Sequence, residues 1–169
     1  KRIARRLDRR TANLHREQRR VIACKRRRHQ GRQPERNRYG KQDQGVCADV
    51  VAPRMRPLAL AVSQGLHGPV LVLDGITTPA NVGMILRTAT AAGFSGIVVP
   101  RRGVASIDPL VVKASAGVAF RAPILKVATA LEAVQALREA GYRIAGLDAD
   151  GPTDLFGADL GADTAYVLG

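Results

Sequence analysis

Residues 69–75 read PVLVLDG, an unbroken apolar run closed by Asp and Gly. A strand on a one-sided sheet alternates apolar and polar residues. A strand with no polar residue to turn outward has to be covered on both faces, as in a parallel sheet flanked by helices. The pattern recurs: GIVVP (96–100), APILKV (122–127), YRIAGLD (142–148) and AYVLG (165–169) are further strand-like runs. Between them lie a helical stretch from about Ala80 to Ala92, the segment DPLVVKASAG, and ATALEAVQALREAG, an amphipathic helix closed by Gly141. Five strands alternating with helices predict an open, mostly parallel α/β sheet with helices on both faces and right-handed crossovers. Upstream, GVCADVV reads as an opening strand and PRMRPLALAVSQGLHG as a short helix or loop leading to the core.

Charge divides the chain. Residues 1–41 hold 17 Lys and Arg against 3 acidic residues, whereas residues 42–169 hold 10 against 11. A basic arm and linker over 1–41 and a packed domain over 42–169 are expected. The arm lacks the apolar period of a buried helix, so alone it is expected to be unfolded or loosely helical. Its charge suits a polyanion, most often nucleic acid, because each cation laid on a phosphate releases counterions; a solvated tail is the alternative. Cys24 and Cys47 supply neither a disulfide framework nor metal-ligand spacing, and no metal is expected. No apolar run approaches the ~20 residues that span a bilayer. The expectation is a cytoplasmic protein, with the mitochondrial matrix as alternative because the start is Arg-rich and acid-poor. The chain opens on Lys1 and stops at AYVLG, and is expected to be a segment cut at both ends.

In an open α/β sheet ligands collect beyond the carboxyl ends of the strands, which directs attention to Asp74, Pro100 to Arg102, Leu147 to Asp150 and Gly169. The first of these ends runs into TTPANVGMILR. Pro79 suits a helix start and Asn81 is able to cap one. Gly83 costs a helix about 0.5–1 kcal/mol relative to Ala and so needs a reason. It stands one turn before Arg87, and its missing side chain is expected to leave room beneath the guanidinium. Arg87 is the only charge in GMILRTATAAG and needs an anion. Asp74 and a ligand both remain open as that anion.

Other chemistry has less support. Neither G-x-G-x-x-G nor G-x-x-x-x-G-K-[ST] occurs. DADGPTDLFGADLGAD departs from a calcium loop and reads as a solvated loop. The three His residues are scattered, and the Phe and Tyr residues are not interleaved with the basic run as a base-stacking platform requires.

Taken as a whole, LVLDGITTPANVGMILRTATAAGFSGIVVP resembles the first signature of the SpoU/TrmH-type RNA ribose 2′-O-methyltransferases of the SPOUT superfamily, closest to those acting on guanosines of 23S ribosomal RNA. The matching positions are Asp74, Pro79, Asn81, Gly83 and Arg87. VVKASAGVAFRAPI is similar to the family's next segment through Lys113, Ser115 and Gly117, and DQGVCADV to the strand that leads into its domain. The likeness covers roughly Gln44 to Gly169. It implies S-adenosyl-L-methionine as cofactor, RNA as substrate with ribosomal favoured over transfer RNA, and a homodimer at full length.

The resemblance makes Arg87 and Asn81 the catalytic positions, with Asn81 organising the Arg and Arg87 as the general base; a bidentate clamp on the substrate phosphate that orients the 2′-OH is the physically easier role for a guanidinium. Gly83, Lys113 and Ser115, with Arg101 and Arg102 at a strand end, join Arg87 as RNA-binding candidates. Gly169, Leu168, Gly146 and Leu147 are the cofactor-binding candidates. Leu168 and Gly169 match only the first two residues of the family's second signature, and its third signature is absent. Those segments form the family's trefoil knot and hold its cofactor, so the 169-residue chain is expected to be inactive by itself and to leave apolar sheet surface uncovered. A non-catalytic RNA-binding or dimerising protein on the same scaffold is the competing expectation.

Overall fold

The computed structural model describes Ala52 and residues 54–169; the basic arm, the GVCADVV stretch and the domain boundary at 41/42 lie outside the described residues. Among the described residues six strands form one sheet: β1 (Arg56–Pro57), β2 (Val70–Leu73), β3 (Gly96–Pro100), β4 (Ile124–Val127), β5 (Arg143–Leu147) and β6 (Thr164–Leu168). Their order is β1-β4-β3-β2-β6-β5, and every pairing is parallel. The helices are α1 (Leu58–Ser63), α2 (Pro79–Ala91), α3 (Pro109–Ala114) and α4 (Ala130–Glu139), with a 3₁₀ turn at Val118–Phe120.

The apolar run that predicted a two-sided strand behaves as one. All four residues of β2 are buried. Leu71 and Leu73 join Val82, Leu86 and Ala89 of α2, Val111 of α3, and Ile97, Val99 and Ile124 in one core. Val70 and Val72 turn the other way, into a second core with Leu58 and Ala61 of α1 and Ala133 and Leu137 of α4. The period of two along each strand therefore sorts its residues between two helical layers, and each fully buried Val, Leu or Ile contributes about 1.5–3 kcal/mol. The sixth strand, β1, falls in the stretch read as helix or loop. It is two residues on an edge, where a proline without an N–H is tolerated.

Local signals set the helix ends. Asp108 accepts from the backbone N–H of Leu110 at 2.9 Å and of Val111 at 3.0 Å, starting α3 behind Pro109. Thr129 accepts from Glu132 N–H at 3.2 Å, starting α4. Gly141, at φ 88°, ends α4 as expected: Tyr142 N–H reaches back to Leu137 O at 2.9 Å across this left-handed residue. By contrast α2 starts after Thr78 with no side-chain cap, and Asn81 sits inside its first turn, so Asn81 is not the cap that the sequence suggested.

Two more expectations are corrected. Gly83 leaves no hollow beneath Arg87. It is buried, and a Cβ there would stand 2.5 Å from Ala114 Cβ, 2.8 Å from Val111 O and 2.9 Å from Ser115 N. The glycine lets α2 and the end of α3 touch backbone to backbone, and it has no surface to offer RNA. Ser115 is fully buried; its hydroxyl donates to Val112 O at 2.9 Å and accepts from Ala119 N–H at 3.2 Å, joining α3 to the 3₁₀ turn. Both hydrogen-bonding functions are used internally, which removes Ser115 from the RNA-binding set.

Cover thins toward one side of the sheet. β6 is an interior strand, yet Tyr166, Val167 and Leu168 are only half-buried, and β5 is exposed or half-buried along its whole length. The amino ends on this side are joined by polar contacts that link distant segments. Asp163 accepts from Gly68 N–H at 2.6 Å and lies 3.5 Å from His67 Nδ1, while Tyr142 OH donates to Leu66 O at 2.9 Å. The Gly68 hydrogen bond, then the hydrogen bond and charge of His67, hold the Asp163 carboxyl below its ordinary value against an opposing desolvation. Burial, followed by the charge of Asp163, pushes the Tyr142 phenol up.

Two stability measurements test this packing. Gly83→Ala in an open helix would gain ~1 kcal/mol; here it should instead cost about 1–3 kcal/mol, since the atoms it meets are backbone and a helix Cβ, and thermal unfolding reads the sign directly. Because the folded Asp163 carboxyl titrates below the unfolded one, its contribution is present above about pH 4 and is lost as pH falls through the folded value. Asp163→Asn should flatten that acid limb of the stability profile, measured by denaturant unfolding at a series of pH values.

Candidate functional site

A fully parallel sheet places every carboxyl end on one edge. The chain steps from β2 to β3 to β4 on one side of β2 and from β5 to β6 toward β2 on the other, so the carboxyl end of β2 lies where the two runs of strands meet. Ligands of open α/β sheets lodge in the crevice outside the carboxyl ends of the strands.

Three segments meet there. Asp74 N–H donates to Leu168 O at 2.9 Å, carrying the β2–β6 ladder one residue past β2. Gly169 follows, and a Cβ on it would lie 3.4 Å from Asp74 O and 3.9 Å from Asp74 Cβ. From the other side comes Gly103, in the loop after β3, where a Cβ would lie 3.9 Å from Asp74 Oδ1. Its φ of 77° favours glycine. Ala105 N–H donates to Ile76 O at 2.9 Å and holds this loop against the turn after β2. Asp74 is exposed, and among the described residues its carboxylate has no hydrogen-bond or ion-pair partner.

Arg87 is likewise exposed and, among the described residues, unpartnered. The internal Arg87–Asp74 pair allowed by the sequence does not form, and the guanidinium is available to an external anion. Arg87 is the ninth residue of α2, about 12 Å along the axis from its start, with its side chain tilted back toward the amino end. Asn81 is exposed too, but about 120° away around the helix and about 9 Å nearer its start. No hydrogen bond joins the two.

The four cofactor candidates fall into one row. Leu147 is the register partner of Leu168, which is the partner of Leu73, so Gly146, Leu147, Leu168 and Gly169 line adjacent strand ends. Gly146 and Leu147 also line a cleft of about 700 Å³ with Pro152, Leu155 and Leu160 of the β5–β6 loop. Nothing stands within 4 Å of a Cβ at Gly146. The bare backbone at Gly146 and Gly169 and the volume beside it suit a flat, nucleoside-sized group, within the roughly 300–1,000 Å³ usual for small-molecule sites.

Lys113 is exposed in the last turn of α3. Arg101 and Arg102 are exposed beyond β3, their N–H groups bonded to Val127 O at 3.0 Å and Ala128 O at 3.2 Å. The structure thus gathers Asp74, Leu168 and Gly169 at one point and keeps Lys113, Arg101, Arg102 and Arg87 on the surface. Sequence reasoning missed Gly103, whose only signal was a glycine soon after a strand end.

With this geometry in view, comparison with known proteins is informative. Residues 68–169 match the model of the SpoU rRNA Methylase family. A protein of Staphylococcus saprophyticus named as a TrmH family tRNA/rRNA methyltransferase is 37% identical over 100 residues, covering 59% of this chain and 40% of the relative. One of the same name from Staphylococcus haemolyticus is 39% identical over 102 residues, with the same shares. Among solved structures, the SpoU methyltransferase AviRb of Streptomyces viridochromogenes superposes with a TM-score of 0.52 at 31% identity, covering 60% of this chain and 41% of that one. An AdoMet-bound rRNA methyltransferase of Sinorhizobium meliloti gives 0.54 at 28% identity, over 60% and 39%. The chain spans about 40% of the length of the curated relatives it matches. It belongs to the SpoU rRNA Methylase family.

Proposed function

We propose that the full-length protein carrying this chain transfers a methyl group from S-adenosylmethionine to a ribose 2′-OH of RNA, with ribosomal RNA favoured over transfer RNA, as a homodimer in a reducing compartment such as the cytoplasm. The observation that carries the reading is Arg87: an exposed guanidinium with no partner of its own among the described residues, at the family's Asn-x-Gly-x-x-x-Arg position. Relatives named as tRNA/rRNA methyltransferases and an AdoMet-bound rRNA methyltransferase neighbour support it. The domain assignment, a basic arm over 1–41 ahead of a methyltransferase domain from 42, belongs to the same proposal.

When bound, the cofactor supplies an electrophilic methyl on a sulfonium. Gly146, Leu147, Leu168 and Gly169 are the residues that would hold it, through open backbone at the ends of β5 and β6. The protein's remaining task is to fix the ribose in line with that methyl. Arg87 fits this task as a two-pronged donor to a substrate phosphate: its fork matches phosphate oxygens, and its charge stabilises an oxyanion developing at the 2′ position. It does not fit as a proton acceptor, because a guanidinium stays protonated above pH 12. Lys113, Arg101 and Arg102 are exposed cations able to track the backbone farther out. The 2′-OH itself is what distinguishes RNA from DNA.

Incubation of the full-length protein with ribosomal RNA and labelled cofactor should give label at a ribose 2′ position, recognised by linkages that resist alkaline cleavage; label on a base would contradict the reading. Arg87→Lys should lower kcat by roughly 10²–10³-fold, because an ammonium cannot reproduce the planar fork, and a variant keeping most of its rate removes Arg87 from this role. Deleting residues 1–41 should flatten the salt dependence of RNA affinity, and an unchanged slope would mean that the arm does not contact phosphate.

A further inference from the structure

The ribose oxygen must lose a proton, and the guanidinium of Arg87 has no capacity to take it. Resting on the reading above, we propose that Asp74 is the proton acceptor for the 2′-OH. The inference follows from position and freedom together. Asp74 lies at the carboxyl end of β2, beside Leu168 and Gly169, on a backbone fixed by its bond to Leu168 O. Its carboxylate is exposed and unpartnered among the described residues. The two segments that flank it end in Gly169 and Gly103, either of which would bring a side chain against Asp74 if it were any other residue. The charged side chains on those segments are Arg101 and Arg102, both exposed.

The other acidic groups among the described residues are occupied or displaced. Asp108 caps α3, Asp148 and Asp154 close turns on Asp150 N–H and Phe156 N–H, and Asp163 is bound to Gly68 and His67 at the opposite edge of the sheet. Asp150 and Asp159 ride on the β5–β6 loop, two strands from β2, or about 10 Å. Glu132 opens α4 beyond β4, equally two strands away on the other side, and Glu139 lies in the last turn of that helix, toward the opposite edge. Among the described residues, Asp74 alone combines an idle carboxylate, a rigid mount and a place at the carboxyl end of β2 beside the cofactor candidates.

The atoms balance without a further reactant. The ribose O–H bond breaks and the oxygen's electron pair forms the new O–C bond. The C–S bond gives its pair to sulfur, and the proton goes to Asp74 Oδ and then to solvent. A positioned base of this kind contributes about 10²–10⁴-fold.

The test compares full-length wild type with Asp74→Asn and Asp74→Ala, measuring methyl transfer to ribosomal RNA, cofactor affinity by calorimetry, and thermal unfolding. The expected result is a kcat lowered by roughly 10²–10⁴-fold with cofactor affinity and melting temperature near wild type. Added formate should partly restore Asp74→Ala and leave Asp74→Asn unchanged. A kcat within threefold of wild type overturns the proposal and leaves the methyltransferase reading standing. Loss of cofactor affinity in the variants also overturns it, since Asp74 would then be a cation-binding group. Wild type that binds the cofactor yet transfers no methyl to RNA overturns the underlying reading as well.

Discussion

The parallel pairing of β2 with β3 on one side and β6 on the other is the constraint on which the site depends. It requires β2 to be apolar on both faces, because helices have to cover both. It also brings the carboxyl ends of all the strands to a single edge. Only under that pairing do Asp74, Gly103 and Gly169, separated by long stretches of chain, become neighbours. The chemistry assigned to the crevice is thus a consequence of burying Val70 to Leu73 completely.

Sequence patterns carried the architecture well. Apolar runs located five of the six strands among the described residues, most plainly β2 and β3, where two-sided burial leaves a local trace, and Gly141 was visible as a helix end because a left-handed residue is needed there. Tertiary proximity was less visible. Gly83 was read as a hollow, since a missing side chain looks the same on paper whether it faces solvent or another backbone; α3 fills the space. Ser115 offered the same ambiguity, and its two internal hydrogen bonds resolve it. The Gly68–Asp163 and Tyr142–Leu66 contacts span 95 and 76 residues and have no local signature.

In the mechanism proposed above, Arg87 and Asp74 divide the work between a clamp and a proton acceptor. A guanidinium is a durable cation and a directional donor, suited to gripping phosphate and steadying charge. A carboxylate is an acceptor, suited to receiving a proton. The absence of an ion pair between them is what leaves both available, because a direct Arg–Asp bond would have neutralised the two groups at once.

The most direct measurement is an experimental structure of the full-length protein with its cofactor and a short RNA. Arg87 bound to a substrate phosphate through N–O distances of about 2.7–2.9 Å, at the carboxyl edge of β2, is the predicted result. A phosphate bound elsewhere, with Arg87 turned onto the protein's own carboxylates, would contradict it.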